Sequence, residues 1–325
     1  MSRDDGVIEN AAFALITASE LYAQRSNAAL SKGEYYDDFV QVELSHGLST
    51  EQLGQACQRA KHRVGRFGIV AVGSKVFVRQ VASGHKHGAV ACEVSGEVRN
   101  AVLSYADGGF VAPSYDSVFG NIDNTSTAPD ITVRSLGLSN GDPSDNLALA
   151  PVFFAEVEDG NRSVPALIRH LGMLLVNFPR VNGVLGIKGE RTANNQHFGF
   201  LVLIEWRSIG VTRRPCVTNL VDFGPNEMTP LRRSNAEVEL GLALPPPNVI
   251  PRCGEHGAGV EAVPQWVRYA NGLDIQGNPA IVRVSPSLLL AGACRQGDGA
   301  IVDIAPDAIP ADINLKRLCS SYFYR

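Results

Sequence analysis

The chain has 325 residues, 45% hydrophobic and 19% charged, enough to bury one large core or two smaller ones. A net charge of -4 and a pI near 6.0 exclude a globally positive surface, which leaves nucleic-acid binding to a local basic cleft. Six cysteines without a CxxC pair fit a reduced, intracellular setting, cytoplasmic or nuclear, better than a disulfide framework.

The segment MSRDDGVIENAAFALITASEL opens on acidic residues and does not read as a secretory signal. No run of about 18 apolar residues occurs, so a soluble protein without a membrane span is expected. Residues 8–31 carry helical spacing, with Ile8, Ala12, Leu15, Leu21 and Tyr22 available for one face. Residues 39–44 alternate as a strand. Ser49-Thr50-Glu51 then starts a helix on which Leu53, Ala56, Ala60 and Val64 are spaced for burial. Its basic end, from Arg59 to Arg66, complements a helix C-terminus.

A series of antiparallel strands is expected over 67–72, 75–81, 89–94, 98–103 and 109–111, with glycine-containing turns between them. His85 and His87 flank Lys86 in a glycine-bounded stretch. Two histidines at this spacing can ligate a metal, but without nearby partners they read as a solvated loop. Polar residues 113–128 deliver the chain to Pro129-Asp130 and a strand over 130–134; a Gly/Ser/Asp-rich excursion follows. The strand 151–158, the helix from Ser163 to about residue 177 and the strand 183–188 form a βαβ-like unit, and 198–206 is another buried strand.

Beyond residue 210 the texture changes. The polar runs of 211–265 and the triplet Pro245-Pro246-Pro247 disfavour helix and central strand. Short strands are expected over 280–284, 288–290 and 300–304, and a closing helix over 312–319.

The chemistry concentrates in three acids. Asp130 heads one buried strand, while Glu156 and Glu158 share one face of the next, with Val157 on the other. Unpaired buried charge is costly, so these residues need compensation. If the two strands are neighbours, Asp130 and Glu156 can share one divalent cation. Hard cations take oxygen ligands, and Mg²⁺ uses one or two carboxylates together with waters and substrate phosphate.

Each of these residues also has a plain structural reading. Pro-Asp before a strand is a capped turn. Glu156 and Glu158 would suit the solvent face of an edge strand, and Arg169 and His170 the exposed side of an amphipathic helix. Glu205, at the end of an apolar strand, reads as a paired surface residue. Cys253 and His256 lack a second ligand pair and read as a structural loop. No Gly-rich phosphate loop, serine elbow or zinc signature occurs.

Pro129-Asp130, with Glu156 26 residues further on, resembles the PD-(D/E)xK nuclease superfamily. The run Pro151-x-x-x-x-Glu156-Val157, the following helix and Val184-Leu185-Gly186-Ile187-Lys188 resemble most closely the Uma-type putative restriction endonuclease family. The likeness spans about residues 40–210 and is clearest over 128–190. It implies an α/β (α+β) fold with a restriction-endonuclease-like mixed sheet flanked by helices. The matching division is a helical segment over 1–39, a core over 40–210 and a strand-rich extension over 211–325.

The implied activity is Mg²⁺- or Mn²⁺-dependent phosphodiester cleavage of DNA, with no membrane partner; a homodimer is compatible with it. Asp130 and Glu156 would be metal ligands, and Glu51 a third acid. The superfamily lysine, two residues after the second acid, is replaced by Glu158, which would serve as accessory ligand or base. In the Uma-type branch the lysine commonly sits on the following helix, where this chain has Arg169 and His170; Lys188 is a further candidate. Arginine is a poor base but clamps phosphate, whereas histidine can orient or deprotonate water. The alternative is a catalytically degenerate nuclease fold serving as a nucleic-acid-binding or assembly module.

Overall fold

The computed structural model describes residues 3–30, 40–44, 48–64, 68–72, 75–79, 85–104, 111–114, 119–120, 125–127, 129–136, 149–159, 163–178, 180–192, 194–209, 212–240, 265–292, 304 and 308–324. The chain begins with α1 (Arg3–Leu30), β1 (Val40–Glu43), α2 (Thr50–Val64), β2 (Gly68–Val72) and β3 (Lys75–Arg79). It continues through α3 (His85–Leu103), β4 (Val111–Ser114), β5 (Phe119–Gly120), β6 (Thr125–Thr127), β7 (Ile131–Leu136) and β8 (Leu149–Asp159). Next come α4 (Val164–Asn177), β9 (Gly183–Arg191), β10 (His197–Ile209), β11 (Thr212–Gly224) and α5 (Pro230–Glu239). The remainder is β12 (Val267–Ala270), β13 (Ile281–Val284), α6 (Pro286–Leu290), β14 (Ala311–Asn314) and α7 (Leu315–Phe323).

A seven-stranded sheet of order β12-β11-β10-β9-β8-β7-β4 organises the molecule. It is mixed: β8 runs parallel to β9 and β11 parallel to β12, and the other pairs are antiparallel. The parallel β8–β9 pair needs a crossover, and α4 supplies it. Ser163 caps this helix by accepting from the Ala166 backbone N–H, and a proline occupies its first turn.

Alternation splits the strand residues between two cores. Phe153, Ala155, Val157, Leu185, Ile187 and Leu201 pack with α3, α6 and α7 on one face. Phe154, Val184, Phe200 and Val202 pack with α4 and α5 on the other. A third core joins α1 and α2 to β1, β2 and β3, which belong to a five-stranded sheet of order β1-β3-β2-β6-β5. The mixed α/β class is therefore as expected.

Several elements differ from expectation. Residues 89–94 and 98–103 are helical, not strands. Their valines lie at 90, 94, 98 and 102, a spacing of one helical turn, and all four are buried in the central core. Residues 288–290 belong to α6, which Ser285 caps and Pro286 opens. The polar stretch after 210 supplies a central strand, β11, and a helix, α5. β10 and β11, which flank residue 210, pair from Ile209↔Thr212 to Gly199↔Phe223, and residue 210 itself lies outside the described residues. The glycine turns at 73–74 and 107–109, the proline triplet at 245–247 and all but residue 304 of the strand expected over 300–304 lie outside the described residues.

The last helix backs the centre of the sheet. Tyr322 is buried and its hydroxyl donates to the Glu158 carbonyl at 3.1 Å. Gly189 makes room for it, because a Cβ there would lie 2.3 Å from the Tyr322 ring. Gly189→Ala is therefore expected to destabilise the fold by about 1–3 kcal/mol, as overpacking does. Urea denaturation of variant and wild type checks this, and an unchanged midpoint would contradict the packing described.

Candidate functional site

The sheet end formed by the start of β7 and the finish of β8 and β9 collects buried ionisable side chains. Asp130 is 9% exposed, Glu156 and Glu158 2%, His87 and His170 1%, and Lys188 0%. Such groups persist inside a protein only when paired or hydrogen-bonded.

Register brings the first two together. β7 and β8 are antiparallel neighbours with Ile131 opposite Ala155, so Asp130, one residue before that pair, stands beside Glu156, one residue after it. The Val157 N–H lies just past the end of the β7 ladder, and Asp130 Oδ2 accepts from it at 2.8 Å. β8 is interior to the sheet, so Glu156 and Glu158 do not form the solvent face of an edge strand. They share the α4 side with Phe154, and Val157 points into the opposite core.

Lys188 enters from the other neighbour. The parallel β8–β9 register pairs Glu158 with Lys188, and alternation from Val184 puts Lys188 on the α4 side as well. Its ammonium lies 3.8 Å from Glu190, which is also paired with Arg232 of α5 at 2.8 Å. Burial drives the Glu190 carboxyl up to about 7, against the pull of Arg232.

His170 and Arg169 diverge, as consecutive helical residues about 100° apart must. His170 Nε2 lies 2.8 Å from Glu156 Oε1, whereas Arg169 turns outward to Glu239 at 3.0 Å. Glu51 sits on α2 beside Gln55, in the element whose apolar side belongs to the third core. Glu205 pairs with Arg207. Cys253 and His256 lie outside the described residues, and the described Cys57, Cys92, Cys216 and Cys319 are free thiols.

His87 is a correction. It lies in the first turn of α3, not in a solvated loop, and its Nε2 is 3.4 Å from Asp130 Oδ1. Burial pulls its pKa down, but the fields of Asp130, Glu158 and Glu156 outweigh it, and the net pKa is raised. The buried stripe 87, 90, 94, 98 was the signal: once residues 89–103 are read as helix, His87 falls on the core side. Tyr322 was missed as well. Its phenol is driven well above its usual range, chiefly by burial and further by Asp159, Glu158 and Asp130, so it acts as a neutral donor.

Among the described residues no three or more His, Cys, Asp or Glu side chains form a group able to hold a metal by themselves. A two-carboxylate arrangement completed by water and phosphate is a different case, and its donors are all hard oxygens, suited to Mg²⁺ or Mn²⁺. No protein-family model matches the chain, and no curated protein is significantly similar to it. No helix among the described residues is long and apolar enough to cross a membrane.

Glu190 makes the pH dependence of the fold testable. Its folded pKa of about 7 exceeds the 4.5 of an ordinary glutamate, so the unfolded chain loses this proton first as pH rises. The native state is thus penalised progressively between those values, by up to about 3 kcal/mol once both forms are ionised. Glu190→Gln is expected to remove that decline. Urea titrations near pH 5 and pH 8 should show the variant gaining on wild type at the higher pH; parallel pH profiles would contradict it.

Proposed function

We propose that this sheet end is the centre of a divalent-metal-dependent phosphodiesterase of the PD-(D/E)xK type, acting on DNA. The observation that carries the reading is the β7–β8 register, which sets Asp130 beside Glu156 at the mouth of a mixed, helix-flanked sheet. Three buried carboxylates, one lysine and two histidines lie at this end of the sheet. A divalent cation suits this charge balance, with Asp130 and Glu156 as the residues that would hold it. Bound there, it would lower the pKa of a water and neutralise charge developing on the phosphate.

The roles of the chain's own groups follow from their positions. Lys188, across the ladder from Glu158, replaces the lysine that the superfamily carries on the acid strand, and it offers positive charge on the same face. His170 orients Glu156, and His87 steadies Asp130. Glu158 is the accessory acid. Arg169, turned toward Glu239, is better placed to tie α4 to α5 than to touch substrate.

A second reading has one observation in its favour: Asp130 and Glu156 each already engage a buried histidine. On that reading the centre is catalytically silent and the fold binds nucleic acid or assembles with a partner.

Plasmid nicking in Mg²⁺ or Mn²⁺ separates the two. Asp130→Asn keeps an oxygen for the Val157 N–H but removes the charge. With an active centre, this change and Lys188→Met should each slow nicking about 100-fold or more. Equal nicking by Asp130→Asn and wild type would mean the centre is misplaced, and none by wild type would leave the silent fold.

A further inference from the structure

Two cationic groups and a histidine, from three elements, surround the same sheet end on the face opposite α4. Lys86 lies in the first turn of α3, next to His87. Arg191 ends β9 and His197 begins β10, and the two are direct partners across that ladder. Alternation from Leu185, Ile187 and Gly189 turns Arg191 toward α7, and His197 meets Phe323 of α7 edge to face with ring centroids 5.4 Å apart. Arg191 is exposed, and Lys86 and His197 are partly so.

Among the described residues neither Lys86 nor Arg191 has a carboxylate within ion-pair distance. Asp159, at the end of β8, feels Lys86, Lys188 and His87. Burial raises its pKa, which weakens it as a counter-charge. His197 feels the cluster directly: after desolvation, Arg191 and Lys86 are what push its pKa down. Like charges gathered this way repel, and that repulsion is relieved when an anion settles among them.

Building on the nuclease reading, we propose that Lys86, Arg191 and His197 form a seat for the phosphodiester backbone of duplex DNA beside the acidic centre. The seat continues the sheet end past Asp159 on the α3 side, from which His87, next to Lys86, meets Asp130. Its contribution is electrostatic and independent of base sequence, as backbone contacts are. The net charge of -4 is no obstacle, because the cations are local to this end.

The test reads binding, not cleavage. Fluorescence anisotropy of a short labelled duplex in EDTA, over a range of salt concentrations, compares wild type with Lys86→Ala/Arg191→Ala. Arg63→Ala/Arg180→Ala, which removes two exposed charges elsewhere, is the matched control. Wild type and control should bind alike. The rim variant should bind about 10-fold more weakly, and its salt slope should be shallower by about 2, one for each lost phosphate contact.

Equal affinity and slope for the rim variant and wild type would overturn the seat, as would equal losses in rim and control variants. So would absence of binding by wild type, or displacement by inorganic phosphate at matched ionic strength, which would mark a small-anion site. The metal-dependent nicking comparison at Asp130 decides the nuclease reading separately. A failed seat with intact, Asp130-dependent nicking would overturn only the seat.

Discussion

The hydrogen bond from the Val157 N–H to Asp130 is the interaction on which the sheet end depends. It gives a backbone donor its acceptor where the antiparallel ladder has run out, an obligation that every buried N–H carries. It also draws a carboxylate into a place that water reaches poorly, and the structure then has to compensate. His87 compensates Asp130 from α3 and His170 compensates Glu156 from α4. One charge placed at a strand end therefore constrains how the helices on both faces dock.

Compensation spreads along the sheet. Lys188 answers Glu158 across the parallel ladder and approaches Glu190, which Arg232 holds from α5 while lying 4.4 Å over the Phe198 ring. One strand further on, the fully buried Asp222 is shared by Arg233 of α5 and Arg268 of β12. Removing one member of such a pair leaves a charge buried alone, and the cost is typically about 3–5 kcal/mol. Arg232 and Arg233 tie α5 to the sheet alongside its apolar contacts.

Much of the central unit could be read from residue order. The proline-led, β-branched runs around Asp130 and Glu156 and the capped helix from Ser163 stand close to where periodicity put them. The two-residue alternation that separated Glu156 and Glu158 from Val157 holds in the two cores. The misreadings have physical causes. In α3, valines and glycines suggested strand and turn, and only their spacing of four revealed the helix. In β11, arginines and a proline masked a strand whose middle, from Cys216 to Phe223, is mostly buried. Partners across the sheet, such as Lys188 with Glu158, depend on a parallel register that no local pattern announces.

The Tyr322 bond to the Glu158 carbonyl spans 164 positions of the chain. Closing so long a loop costs entropy before any contact repays it. A chain interrupted anywhere between them would keep its acids but lose the tyrosine that backs the strand bearing Glu156 and Glu158. The support behind those acids is thus supplied by the far end of the described chain.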